Sequence, residues 1–325
     1  MGIFNIIPSD VSCSMSQSEY ILKYVGIILN LFLNFFYRSV WWAWSVIVVV
    51  ISHVIRKLLR QQRHEQCELF YILARYRFGH SDITRSCDFI GFPCGFQPID
   101  ALKNPHWILH TVEDDYAYFV YLDRTLPKIQ VRDSYPFVYY QCFKDSQYYC
   151  RIPFKEFLKF PQYFDNPPKQ FTFVLIDSIM RCGGTLLTSL LQIKGKTIAL
   201  NEPDFFTNIG QMLATSRITR TDAEQALRAV VAKLCIELNE KTEFLVIKGR
   251  HTFSMITETF LDLYPDTTVL FNYRSNLNKL IPSIQRVILE SHRVAAVSHI
   301  FCIESARHAG KQRFIEAFPN LTVEP

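Results

Sequence analysis

FTFVLIDSIMRCGGTLLTSLLQ, residues 171–192, reads as a buried strand, a small-residue loop and a helix. The run 171–176 is continuously apolar and of strand length, as expected for a strand covered on both faces. The loop 177–184 ends in Gly183 and Gly184, and 185–192 is apolar at helical spacing. A strand, a glycine loop and a helix in that order form a phosphate cradle. Backbone N–H groups at the helix start point at the anion, and glycines let the backbone approach it closely. Arg181 adds a forked cation and Thr185 a hydroxyl. The loop lacks the Gly-Lys-Ser/Thr ending of nucleotide triphosphate loops, which disfavours a conventional ATPase or GTPase.

Downstream, strands and helices alternate. Residues 196–200 (KTIAL) are a short strand running into Asn201-Glu202-Pro203-Asp204. The helix of 221–239 opens on Thr221 with Glu224 three residues on, the pattern of a capping box. Residues 243–251 (EFLVIKGRH) are a second buried strand, TETFLDLYP a helix, and 267–274 (TTVLFNYR) a third strand. The alternation predicts an α/β domain with a parallel sheet and helices on both faces. Ligands of such sheets sit at the carboxyl ends of the strands. Those ends carry Arg181, Glu202, Lys248, Arg250, His251 and Arg274.

Taken together, DSIMRCGGTLLTSLL, LNEPD, FLVIKGR and TVLFNYRSNLNKLIPSIQR resemble the sulfotransferase branch of the P-loop fold, over roughly residues 165–290. The resemblance implies a three-layer sandwich that uses 3′-phosphoadenosine-5′-phosphosulfate (PAPS) as sulfate donor. By that resemblance Arg181, Cys182, Gly183, Gly184 and Thr185 hold the 5′-phosphate end. Arg274 and Ser283 hold the 3′-phosphate. Lys248 acts on the sulfate or bridging oxygen, and Glu202 or His251 is the base that takes the acceptor proton. The chain departs from the family in several ways, among them the lack of an RKGxxG-like nucleotide loop near its C-terminus. Gly184 stands where Ser or Thr is usual, Ser283 falls one place late with Pro282 at the expected position, and only 51 residues follow Arg274. Two alternatives stand beside this reading: a catalytically inactive membrane protein that keeps the P-loop fold, and a P-loop nucleotide kinase-like enzyme.

The most apolar part of the chain lies at its front. Between residues 20 and 55 the only Lys or Arg residues are Lys23 and Arg38. SVWWAWSVIVVVISHVI (39–55) is about the minimum length for crossing a ~30 Å hydrocarbon layer. Tyr37, Trp41, Trp42 and Trp44 make an aromatic belt, and Arg56, Lys57, Arg60 and Arg63 a basic flank. The bulky, basic stretch that follows is unlike a signal-peptide cut site, so a retained membrane anchor is expected, as one span or as a short hairpin turning at Arg38. The positive-inside rule places the large domain in the cytosol, whereas an anchored enzyme of the secretory pathway places it in the lumen; both remain open. The expected location is the Golgi or another endomembrane.

Composition sets the outer bounds. Of 325 residues, 49% are hydrophobic and 20% charged, with mean hydropathy +0.06, which excludes a disordered chain. A net charge of +5 suits an anionic small ligand or a membrane face and is too weak to argue for nucleic acid. The nine cysteines are scattered without CxxC spacing, unlike a zinc site or a disulfide framework. Isolated thiols are expected, with a Cys142–Cys150 bridge open to a lumenal domain. His292, His299 and His308 include no i, i+4 pair and make no metal site. Asn320-Leu321-Thr322 is a glycosylation sequon. The expected organisation is an N-terminal tail (1–19), a transmembrane segment (20–55), a basic linker (56–87), a β-rich region (88–165) whose runs 116–122 (YAYFVYL) and 135–143 (YPFVYYQCF) fit strands of a small antiparallel sheet, and the sulfotransferase-like domain (166–325). The expected partners are the nucleotide donor, an acceptor of unidentified class and the lipid bilayer.

Overall fold

The computed structural model describes residues 17–58, 66–77, 83–125, 137–163, 171–178, 181–238, 241–250 and 253–276. Its contacts divide the chain into two units, residues 1–36 with 285–325, and residues 37–284. Of the first unit the described part is residues 17–36, the opening of helix α1 (Gln17–Leu58). The helix continues through Arg38, so the chain makes no hairpin turn there. Within α1, Leu31–Ser52 is long and apolar enough to cross a membrane by length and composition.

The second unit holds two sheets. The first is antiparallel and five-stranded, in the order β2-β1-β5-β4-β3. Its strands are β1 (Gln66–Arg75), β2 (Phe89–Pro98), β3 (Trp107–Val112), β4 (Tyr116–Tyr121) and β5 (Tyr148–Pro153). Residues 66–75, expected in a basic linker, are a strand paired on both sides, with β2 and with β5. Their charges have partners in the sheet: Arg151 donates to Glu68 at 2.7 Å across the β1–β5 pair. The aromatic run 135–143, read as a strand, forms helix α2 (Val138–Asp145) instead. Cys142 and Cys150 are both buried free thiols, on α2 and β5, and are not bridged.

The second sheet is parallel, in the order β7-β8-β6-β9: β6 (Thr172–Ser178), β7 (Thr197–Asn201), β8 (Phe244–Lys248) and β9 (Thr268–Asn272). Successive residues of these strands point to opposite faces, and both faces are covered on β6, β7 and β8, whereas the edge strand β9 leaves Val269 and Phe271 exposed. Ile176, Ala199 and Val246 pack under Leu187 and Leu191 of helix α4 (Gly184–Leu190) and its C-cap. Phe173, Leu175, Leu245 and Ile247 belong to the main core with α5 (Asp204–Ala214), α6 (Arg220–Glu237) and α7 (Ser254–Leu263). Phe173 meets Phe260 edge-on at 5.1 Å and Phe260 meets Phe206 at 5.9 Å, geometries that aromatic quadrupoles favour. The short helix α3 (Phe154–Phe157) closes the end of β5. The cap of α6 lies two residues earlier than expected, at Thr219: its hydroxyl accepts from Asp222 N–H, and Asp222 accepts from the Thr219 N–H.

One continuous core runs from the parallel sheet through α5–α7 to the antiparallel sheet. α5 is the shared element, since it packs on α6 and α7 and also on β3. The second part of α1 closes the stack on the antiparallel sheet, where Trp41 and Trp44 donate to the carbonyls of Phe89 and Gly91 at 3.1 and 2.7 Å. Gly91 is required there. A Cβ on it would lie 2.4 Å from the ring of Tyr149, which stacks between Phe70 and Phe89.

Candidate functional site

The carboxyl ends of β6, β7, β8 and β9 face one side of the parallel sheet. The loop after β6 reaches α4 through Arg181 and Gly183, both with positive φ (65° and 86°). Glycine takes that conformation freely, whereas for Arg181 it is strained. Asn272, the last residue of β9, donates to the Cys182 carbonyl at 3.1 Å and so ties the loop to the sheet. Arg181 is exposed at the loop, Thr185 half-buried in the first turn of α4, and Arg274 exposed just beyond β9. His251 and Ser283 lie outside the described residues.

Gly184 is buried and tightly faced. A Cβ there would stand 2.6 Å from the Ser178 hydroxyl and 3.1 Å from Lys248 Cε. The space that a Ser or Thr would take at position 184 is therefore filled by Ser178. Gly184→Ser alone is expected to destabilise the protein by about 1–3 kcal/mol through overpacking, and Ser178→Gly in the same chain is expected to relieve most of it. Chemical denaturation of the two variants checks this.

The structure brings Glu202 and Lys248 together. β7 and β8 are neighbours, Asn201 is in register with Lys248, and the Glu202 N–H extends the ladder to the Lys248 carbonyl at 2.7 Å. Lys248 Nζ donates to Glu202 Oε1, and the second oxygen, Oε2, lies 3.7 Å from Arg250 Nε. Glu202 itself has φ +52°, the left-handed region, which costs a non-glycine residue about 1–3 kcal/mol and is found where surrounding structure imposes it. A carboxylate is thus presented at a strand end between two cations, one of them (Lys248) 7% exposed.

Behind this pair lies a buried polar network of which the sequence pointed only to Arg250. Arg250 pairs with Asp204 at the start of α5: its Nη2 donates to Oδ2 at 3.2 Å, and its Nε lies 2.5 Å from Oδ1. Asp204 also accepts from the Thr84 N–H at 3.0 Å. The Arg250 guanidinium lies 4.6 Å from the Tyr139 ring centroid, and that of Arg77 lies 5.1 Å from the same ring. Arg77 then pairs with Asp88 at 2.5 Å, and Asp88 lies 3.2 Å from His110 Nε2. Burial pushes Asp204 up to about 6, against the pull of Arg250 beside it. The folded chain therefore keeps a proton on Asp204 at pH values where the unfolded chain has released it. The resulting stability is full below about pH 4 and is lost as pH rises through 6, by up to about 3 kcal/mol. Asp204→Asn is expected to remove that decline from the stability profile between pH 4 and 7; an unchanged slope contradicts the assignment.

Sequence reasoning reached Glu202 and Lys248 because each sits at the end of an apolar run. It missed Asp204, Tyr139, Arg77 and Asp88 as site residues, since their proximity arises from the packing of α5 and α2 between the two sheets. The one available signal was Asp204, three residues past β7 in a turn already rich in polar groups. Comparison with known proteins finds no family model, no curated protein and no solved structure that matches the chain.

Proposed function

We propose that this is a membrane-anchored sulfotransferase-like protein of the P-loop class, moving sulfate from PAPS to a hydroxyl or amine of a glycan, lipid or protein acceptor. The observation that carries the reading is the Glu202–Lys248 pair at the ends of adjacent parallel strands, beside the strand–loop–helix of 172–190. The donor supplies an activated sulfuryl group. As the acceptor oxygen or nitrogen bonds to sulfur, the bond from sulfur to the bridging phosphate oxygen breaks and 3′-phosphoadenosine 5′-phosphate departs. Glu202 takes the acceptor proton. Its companion Lys248 holds a proton at Nζ and neutralises charge on the departing nucleotide, which is where preorganised cations contribute most. Arg250, fixed by Asp204, keeps Glu202 in place from behind. Arg181, Cys182, Gly183, Gly184 and Thr185 form the loop that takes the 5′-phosphate, and Arg274 with Ser283 takes the 3′-phosphate. α1 supplies the anchor.

The experiment is transfer from radiolabelled PAPS to a panel of glycan, lipid and protein acceptors by the full chain and by Glu202→Gln. Incorporation is expected in the natural protein and a loss of at least about a hundredfold in the variant, the usual effect of removing a general base. Equal incorporation by both removes Glu202 from the reaction.

A further inference from the structure

From Tyr37 onward α1 has two different faces. Residues 37, 41, 44, 48 and 52 recur at steps of four and three, so they form one stripe along the helix. That stripe is fastened to the antiparallel sheet. The Tyr37 ring meets Tyr76 at 4.7 Å, Trp41 and Trp44 bond the carbonyls of β2, and Val48 and Ser52 are buried. The other face is apolar and open: Trp42 is 67% exposed and Val50 58%, with Val46, Ile47, Val49 and Val54 exposed beside them. This open arc covers more than half of the helix circumference.

We infer that residues 37–54 lie in the plane of a membrane surface, with the Trp41–Trp44 stripe clamped to the antiparallel sheet and the opposite face in lipid, so that the domain is seated on the bilayer. The inference rests on the membrane-anchor part of the proposed function and on none of its chemistry. Two observations choose lipid as the occupant. There is no Asp or Glu from residue 20 to residue 64, while Lys23, Arg38, Arg56, Lys57, Arg60 and Arg63 fall in that stretch, a charge pattern complementary to anionic headgroups. An apolar arc this wide in water is an aggregation liability. The clamp also excludes a crossing by these same residues. A span here would carry β2 and the Glu68–Arg151 pair beneath the helix to hydrocarbon depth, where an open sheet is not tolerated.

The test uses the full chain bound to vesicles of phosphatidylcholine and phosphatidylserine that contain a phosphatidylcholine with a photoreactive acyl chain. After photolysis, adducts are mapped by mass spectrometry. Adducts are expected at Trp42, Val46 and Val50, with none at Trp41, Val48 or Ser52. Val46→Asp with Val50→Asp, on the open face and so outside the folded core, is expected to lower the vesicle-bound fraction at least about tenfold. Adducts around the whole circumference overturn the clamped helix while leaving membrane attachment intact. Failure of the chain to float with vesicles overturns the membrane reading itself. A bound chain without adducts, cross-linking through Trp42→Cys to a second copy, gives the face to protein and overturns the lipid assignment.

Discussion

Replacing Arg250 with methionine is expected to destabilise the 37–284 unit by about 3–5 kcal/mol at pH 7, the range seen when one partner of a buried ion pair is removed. The reason is what remains. The Asp204 side chain is fully buried and bonded to Arg250 and to the Thr84 N–H, so the substitution leaves a carboxylate with one neutral donor. Against a total stability of roughly 5–15 kcal/mol, that is a large fraction. Two features make the expectation specific. The loss shrinks below about pH 6, where Asp204 takes up a proton and no longer needs the cation. It also shrinks when Asp204→Asn is added, because the amide oxygen still accepts from Thr84 while the buried charge is gone. Urea denaturation in detergent at pH 5 and pH 7 reads all four corners of the cycle. Strict additivity of the two substitutions contradicts a direct pair.

Gly249→Ala is expected to cost about 2–3 kcal/mol, and to do so by moving the site. The Cβ would stand 2.2 Å from both Cβ and Cγ of Phe253, which is 2% exposed and meets Phe206 in the core. Phe253 has no room to withdraw, so the end of β8 must shift instead. That segment carries Lys248 on one side of Gly249 and Arg250 on the other, so one displacement loosens both contacts to Glu202. Phe253→Leu in the same chain removes part of the ring and is expected to recover a portion of the loss. If alanine at 249 is tolerated at natural stability, the packing described for the β8 end is wrong.

How far these features could be read in advance depends on where each residue's partners lie. β6 and β8 were legible because parallel strands covered on both faces read as nearly continuous apolar runs, and β9 because Val269, Leu270 and Phe271 make a short apolar run of the same kind, although at the sheet edge it leaves Val269 and Phe271 exposed. β1 was not, since QCELFYILAR carries Glu68 and Arg75 and reads as a charged connection. Its glutamate is matched by Arg151, more than eighty residues away, and no local pattern reports that. The run at 135–143 shows the converse error. Val and five aromatics favour a strand by propensity, but α2 forms because Val138, Tyr139 and Cys142 bury one helical face against the core, and Tyr139 sits under two guanidinium groups. The site divides the same way. Glu202 and Lys248 end adjacent strands, so topology alone brings them together. Arg77, Asp88, Thr84 and Tyr139 reach Arg250 only because α5 is shared by both sheets.

The central claim is that the strand ends around Lys248 and the loop of Arg181 receive an adenosine bisphosphate. The most direct test is thermal unfolding of the full chain in detergent, with and without 3′-phosphoadenosine 5′-phosphate, for the natural sequence and for Arg274→Ala. Arg274 is exposed, so its removal leaves the fold intact. A ligand that binds only the folded state stabilises by about 2.7 kcal/mol at a hundredfold excess over Kd. The expected result is a midpoint that rises with nucleotide in the natural protein and rises much less in Arg274→Ala. A cooperative transition that nucleotide does not move in either protein contradicts the claim.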